Sequence, residues 1–392
     1  EKLIRSGISQ RVIQKLVLNL IEIGGNFFSE TLPKYVLDYY KLIDKNVALK
    51  EIHFPTSQKK LSQAQIRLKF EELTYIQLQL ILKNQQRKRK IKGFIFSEIG
   101  STLKNFYNHQ LPYQLTSAQK RVIREIREDM GSGRQMNRLL QGDVGSGKTI
   151  VALFAILIAI ENNFQACFVA PTEILAQQHF NSFRELLSDS NINLNLLTGS
   201  TKAKERKIIN LGLENGTLQI LIGTHAVFEE NVRFKNLGLA IIDEQHRFGV
   251  AQRAKLWSKN TTPPHILVMT ATPIPRTLAM SLYGDLDISL IDEMPPGRKP
   301  IKTMHKYDNN RLKVFQFIKE KIKEGRQIYV VYPLIEESEK LDFKDLMDGY
   351  ESLSRSFPIP KFQISIVHGK MKADDKAYEV KRFAEGKTQI MV

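Results

Sequence analysis

Eight residues constrain this chain more than any others. Gly142-Asp143-Val144-Gly145-Ser146-Gly147-Lys148-Thr149 fits the phosphate-loop pattern G-x-x-x-x-G-K-[ST] without exception. Such a loop works only between a strand and a helix. Its glycines let the backbone curl so that successive N–H groups point inward, and the following helix presents its positive dipole end. The flanking sequence supplies that context: Arg138–Gln141 reads as a strand and Thr149–Glu161 as a helix. Lys148 places a point charge at the β and γ phosphates, and the Thr149 hydroxyl suits a Mg²⁺ ligand. The dinucleotide spacing G-x-G-x-x-G is not present here. A hydride-transfer enzyme thereby loses its main support.

The loop needs an acid at the end of a buried strand. Leu239-Ala240-Ile241-Ile242 runs straight into Asp243 and Glu244. This is where a parallel sheet surfaces at its carboxyl edge. Asp243 is placed to hold Mg²⁺, directly or through its waters, and Glu244 to polarise an attacking water. Alone, an Asp-Glu pair is usually a solvated turn. Coupled to the loop and to the apolar strand, it implies nucleoside triphosphate hydrolysis.

The rest of the chain reads as α/β. Further strands are expected at Ala166–Ala170, Leu194–Leu197, Gln219–Ile222 and Ile266–Thr270, with helices at Glu173–Leu187, Ala203–Leu213 and Arg276–Leu282. Alternation of this kind means βαβ units around a parallel sheet. Pro295-Pro296-Gly297 marks a linker, and a second α/β pattern follows. There a helix is expected over Arg311–Lys323, strands at Gln327–Tyr332 and Gln363–Val367, a helix over Asp374–Phe383, and a last strand from Thr388. Asp342–Pro360 reads as an exposed insertion. The domain boundaries that follow are 1–110, 111–296 and 297–392.

Residues 1–110 are helical in pattern. Ser62 and Gln65 form a candidate capping box, with Phe70, Leu73, Gln77 and Leu80/Ile81 at helical spacing after it. The segment is also basic. It holds 19 Lys/Arg against 9 Asp/Glu, so +10 of the chain's net +17 lies there. That balance points to a polyanionic partner. The run Arg87-Lys88-Arg89-Lys90-Ile91-Lys92 is either a solvated helix end or a contact with nucleic-acid phosphates. A single cysteine, Cys167, excludes an intrachain disulfide and any Cys-pair zinc site, and its apolar surroundings mark a buried strand residue. The longest apolar run, Ile150–Ile160, is shorter than the ~20 residues that cross a bilayer. Both ends of the chain read as cut.

The acid motif continues as Gln245-His246-Arg247-Phe248-Gly249-Val250, with Gln252-Arg253 beyond. With the loop, it resembles the superfamily 2 DNA helicases and, within them, the RecG family of branched-DNA helicases. Further segments support the resemblance in the order that family requires. Leu115-Thr116-Ser117-Ala118-Gln119 resembles the adenine-reading Q motif, with Gln119 at the base and Tyr113 as a stacking partner. Ala170–His179 resembles motif Ia, Gly223–Ala226 motif Ib, Thr270–Thr277 motif III, and His368-Gly369-Lys370-Met371 a motif of the second lobe.

The resemblance implies a RecA-like motor lobe, a partial second RecA-like lobe and a helical N-terminal linker following a wedge (OB) domain. It implies ATP and Mg²⁺ as cofactors, DNA forks and junctions as partners, a monomer, no membrane, and a bacterial cytoplasmic, nucleoid-associated location. It assigns catalysis to Lys148, Asp243, Glu244, Gln245 and His246. DNA-backbone contacts fall to Pro171, Thr172, Gln177, Thr224, His225 and His368, and coupling to Thr270, Thr272 and Arg276. Ordinary helix capping also accounts for Thr172 and Thr224. Motifs V and VI, the latter with its arginine finger, would lie beyond Val392. The expectation is therefore that residues 1–392 bind nucleotide but hydrolyse it poorly, since arginine fingers contribute about 10³–10⁵ in rate. Three alternatives stay open. One is a duplex translocase like the transcription-repair coupling factor, although Gln245 stands where that family usually has Glu. Another is a non-catalytic ATP- or DNA-binding module. The third is a small-molecule P-loop kinase, which would lack a second α/β lobe and so basic a segment.

Overall fold

The computed structural model describes residues 10–24, 28–244, 262–272, 286–294, 301–332, 349–369 and 371–392. The chain divides into two compact units, Glu1–Arg298 and Lys299–Val392.

Among the described residues the first unit begins with the helices α1 (Gln10–Gly24), α2 (Lys34–Tyr40), α3 (Lys45–His53) and the long α4 (Gln58–Lys90). α4 starts at Ser57, whose side chain accepts the Lys60 N–H. The candidate capping box at Ser62 and Gln65 therefore falls inside the helix, because Ser57 already caps it five residues earlier. α4 buries Ala64, Arg67 and Glu71, a largely polar set. Arg67 is fully enclosed. Its guanidinium donates to Glu71, 2.7 Å away, and to Glu30. Glu71 also accepts from the Thr31 hydroxyl and the Lys45 ammonium. Glu30 takes the N–H groups of Thr31, Leu32 and Lys45. Burial pushes both carboxyls up, but these donors outweigh it and hold both below the usual carboxylate range. Ionic hydrogen bonds thus clamp residues 30–45 to α4.

Residues 91–105 then attach this segment to the sheet that follows. The Gly93 N–H donates to Gly133 and the Phe96 N–H to Met130. Glu161 accepts the N–H groups of Gly100 and Leu103, at the start of α5 (Ser101–Asn105). His265 completes the attachment. Its Nδ1 accepts the Met136 N–H, so its Nε2–H donates to the Phe94 carbonyl, 3.0 Å away.

The main sheet has seven parallel strands: β1 (Asn137–Gly142), β2 (Gln165–Val169), β3 (Leu194–Leu197), β4 (Ile220–Gly223), β5 (Leu237–Asp243), β6 (His265–Thr270) and β7 (Asp287–Ile291). Their order is β3-β4-β2-β5-β6-β1-β7. Helix α6 (Ser117–Gly131) precedes β1, and α7 (Lys148–Glu161), α8 (Glu173–Leu186) and α9 (Ala203–Asn215) connect successive strands from β1 to β4. Alternation along β5 fills both faces: Leu239 and Ile241 join the core containing α7, and Ala240 and Ile242 the core containing α9. α7 is buried from Ile150 to Ala159, which is why its sequence reads as an unbroken apolar run. Cys167 is buried in β2 as expected. The expected strands and helices of this unit recur within two residues at nearly every boundary, apart from helix Arg276–Leu282, which lies outside the described residues. β7 is an addition. It is an edge strand with Leu290 exposed and too mixed in polarity to register as a strand.

In the second unit, α10 (Arg311–Lys323) and α11 (Ala373–Ala384) accompany three short parallel strands, β8 (Ile328–Tyr329), β9 (Ile364–Ser365) and β10 (Ile390–Met391), in the order β8-β10-β9. The expected insertion at Asp342–Pro360 is corrected in part. Residues 349–356 are helical, and Leu353 and Phe357 are buried in this unit's core with Ile318, Phe362 and Ile390. Spacing of i, i+4 puts the two on one helical face. Residues 342–348 lie outside the described residues, as do Pro295–Gly297.

Burial pushes the His265 imidazole down to about 4, so it is neutral in the folded protein. Between pH 6.5 and 4 the unfolded chain binds the extra proton. Stability is therefore complete above about pH 6.5 and declines as pH falls, by up to about 3 kcal/mol. Urea unfolding midpoints at pH 7, 6 and 5 should show this decline. H265Q should be less stable at pH 7 and flatter across that range, because Glu30 and Glu71 lose their contribution only at lower pH.

Candidate phosphate-loop site

Three adjacent strands bring the predicted chemistry together. β5, β6 and β1 are neighbours and run parallel, so all three release their following residues at one edge of the sheet. Asp243 is in register with Met269, and Thr270 with Gln141. The acids, the Thr270–Thr272 turn and the loop after β1 thus emerge side by side.

The loop has the conformation its glycines permit. Gly145 and Gly147 adopt φ of 76° and 87°. A Cβ at Gly147 would lie 2.2 Å from Gln119 Nε2, and one at Gly142 2.5 Å from Ser146 Oγ. Lys148 Nζ donates to the carbonyls of Gly142 and Asp143, at 2.7 and 2.9 Å. The Val144 N–H is held by the Asp143 carboxylate, while the Val144 side chain is exposed. Ser146 Oγ is buried with no hydrogen-bond partner among the described residues. Thr149 follows in the first turn of α7 and is half-buried.

Gln119 is buried, and both ends of its carboxamide are engaged. Its oxygen accepts the Thr116 N–H, and its nitrogen donates to the Ser146 carbonyl, 2.8 Å away. The first bond completes a capping box at the start of α6, and the second ties that helix to the loop. Glu293, just past β7, accepts the Ala118 N–H at the same helix start. Tyr113 is exposed over half its surface, and partial burial pushes its phenol upward.

Glu244 is held at φ 54°, a left-handed conformation rare for a residue with a side chain. Two bonds fix it there. Its N–H donates to the Met269 carbonyl, and its Oε1 accepts the Ala271 N–H, 3.2 Å away. Ala271 lies between Thr270 and Thr272, whose hydroxyls are 2.8 Å apart. The acid motif and the threonine turn are therefore joined directly. Gln245, His246 and Arg276 lie outside the described residues.

The other half of the same edge, beyond β3, β4 and β2, carries the remaining candidates. Pro171 and Thr172 are half-buried after β2, and Thr172 caps α8 through the Leu175 N–H. Gln177 is exposed and donates to Asn181. Thr224 is buried, and among the described residues its hydroxyl has no hydrogen-bond partner and does not cap the 3₁₀ turn at His225–Phe228. His225 beside it is exposed. His368 is half-buried in the second unit.

Sequence reasoning missed two residues. His179 Nε2 lies 3.2 Å from Asp243 Oδ2, across 64 residues of sequence. Glu173 accepts both the N–H and the hydroxyl of Ser200. Neither pairing has a spacing that a sequence displays.

The comparisons agree with this geometry. The DEAD/DEAH box helicase family pattern matches residues 116–281. The "ATP-dependent DNA helicase RecG" of Synechocystis is 44% identical over 98% of this chain and 46% of its own length. That of Thermotoga maritima is 45% identical over 99% of this chain and 49% of its own. A solved structure of RecG bound to a three-way DNA junction superposes with a TM-score of 0.73 at 41% identity, over 99% of this chain and 50% of that one. The chain is similar to the RecG helicases over nearly its whole length. It spans about half the length of these relatives. The yeast Dbp5 structure with RNA and ADP BeF3, at 16% identity and a TM-score of 0.54, shares the fold alone with this chain.

Gly147→Ala tests the loop geometry. Both the clash with Gln119 and the positive φ oppose it, with strain of about 1–3 kcal/mol. Nucleotide affinity measured by fluorescence titration should fall at least about tenfold, the equivalent of 1.4 kcal/mol. Adding Gln119→Ala should relieve the clash but not the φ penalty, so the double variant should recover part of the loss.

Proposed function

We propose that this chain is the nucleotide-driven motor portion of an ATP-dependent DNA helicase that acts on branched DNA such as forks and junctions. One observation carries the reading. The phosphate loop, Asp243–Glu244 and the Thr270–Thr272 turn leave adjacent parallel strands at one edge, and Glu244 is bonded to the turn. The loop N–H groups and Lys148 bind the triphosphate of ATP. Thr149 and Asp243 supply the hard oxygen donors that Mg²⁺ requires, and the enclosed Ser146 hydroxyl adds a further polar group to the cradle. Mg²⁺, when bound, neutralises charge on the phosphates.

Glu244 takes the proton of a water as its oxygen bonds to the γ phosphorus. The bridging P–O bond breaks, and ADP and phosphate leave. Loss of the γ phosphate alters what Glu244 must hold. Its bond to Ala271 passes that change to Thr270 and Thr272, which, with Arg276, serve as the coupling segment. Gln245 and His246 complete the acid motif, and Tyr113 faces the base, while Gln119, expected at the base, has both amide ends engaged and instead braces the loop. Pro171, Thr172, Gln177 and His225 meet the DNA backbone on the other half of the edge, and His368 is a separate candidate contact in the second unit. Backbone contacts of this kind position the strand without reading its sequence.

ATPase assays with forked, linear and single-stranded DNA test the reading. Forks should stimulate turnover most, and equal stimulation by linear duplex would favour a duplex translocase. Glu244→Gln should cut turnover by about 10²–10⁴ while ATP still binds. Lys148→Ala should lose both. DNA affinity should fall steeply between 50 and 200 mM salt, as phosphate-dominated binding does. Salt-insensitive binding would count against it.

A further inference from the structure

The geometry points to His179 as a positioning residue that orients Asp243 and links the start of α8 to the metal site. The inference rests on the reading above, in which Asp243 is a Mg²⁺ ligand and α8 begins at a DNA contact. His179 Nε2 lies 3.2 Å from Asp243 Oδ2, and a carboxylate only accepts, so the ring nitrogen donates. Both side chains are largely enclosed, at 14% and 13% exposure. The imidazole is also fixed in orientation. It packs 4.6 Å from the Phe168 ring on β2, with Phe183 one turn further along α8. A donor held rigidly beside a metal-binding carboxylate restricts which oxygen the carboxylate offers and in what direction.

The same helix is anchored at its other end. Thr172 caps it, and Glu173, its first residue, grips Ser200 after β3 through two hydrogen bonds. Seven residues separate Thr172 from His179, about 10 Å along a helix. A rigid element two turns long therefore joins the β2 and β3 loops to Asp243 on β5. A shift of α8 when DNA meets Pro171 and Thr172 moves His179 with it. Asp243 then presents its oxygens differently, and strand engagement alters metal binding. Packing alone would need only a flat ring at this place.

Three variants in the full-length protein separate the two roles. His179→Phe keeps a ring against Phe168 without the N–H donor. His179→Ala removes both. His179→Gln carries an amide N–H at about the reach of Nε2. Mn²⁺ affinity of the ADP complex is read by electron paramagnetic resonance, and ADP affinity without metal by fluorescence titration in chelator. His179→Phe and His179→Ala should weaken Mn²⁺ binding by roughly tenfold or more, with metal-free ADP affinity unchanged. Both should lower the ratio of DNA-stimulated to basal ATPase, and His179→Gln should restore most of each. A His179→Phe protein with native Mn²⁺ affinity overturns the proposal. So does a folded Gln variant as impaired as Phe, or an equal loss of metal-free ADP binding. Wild-type protein without DNA-stimulated turnover would instead sink the helicase reading, and the Mn²⁺ measurements would still decide the role of His179.

Discussion

Because all seven strands of the main sheet run parallel, every segment that follows a strand emerges at the same edge. The molecule's candidate chemistry depends on that one constraint. It collects residues from 142 to 272 into a row without any long-range contact having to be specified individually. Strand order then divides the row. β5, β6 and β1 carry the loop, the acids and the threonine turn, while β2 carries the half-buried Pro171 and Thr172 and β4 the exposed His225. Parallel sheets need both faces covered, and the fully apolar α7 and the alternating strands supply the cover.

The row is wired laterally as well as aligned. Gln119 ties α6 to the loop, Glu244 ties β5 to the turn after β6, and His179 ties α8 to the end of β5. Each link is a hydrogen bond made by a side chain already expected or placed near chemistry. None is a surface ion pair, which would contribute little. The attachment of the N-terminal helices follows the same style. Arg67 with Glu30 and Glu71, and His265 with Phe94, hold that segment by enclosed polar contacts. Removing Glu71 from the Arg67 set leaves a buried charge short of a partner and costs about 3–5 kcal/mol.

Most of the main sheet was legible in the sequence because buried parallel strands read as short apolar runs, as at Leu239–Ile242 and Ala166–Ala170. The loop was legible because its chemistry is local: eight contiguous residues contain all of it. What stayed hidden was non-local or polar. The pair His179–Asp243 joins two elements 64 residues apart. β7 is an edge strand with mixed polarity, and Ser57 rather than Ser62 starts α4 because either serine satisfies the local rule. Thr224 was read as a backbone contact or an ordinary helix cap, and nothing local in its motif shows that its hydroxyl is enclosed. Leu353 and Phe357 were masked by the polar residues around them, although their spacing marks one helical face.

The positive φ at Glu244 carries a further consequence. Asparagine or glycine would sit more comfortably at that position, since both tolerate left-handed backbone. Either would also remove the carboxylate that meets Ala271. Random mutation selected for thermal stability alone should therefore drift toward Asn or Gly at 244, and selection for turnover should drive it back. On the proposed function, folding and chemistry pull in opposite directions at this one residue.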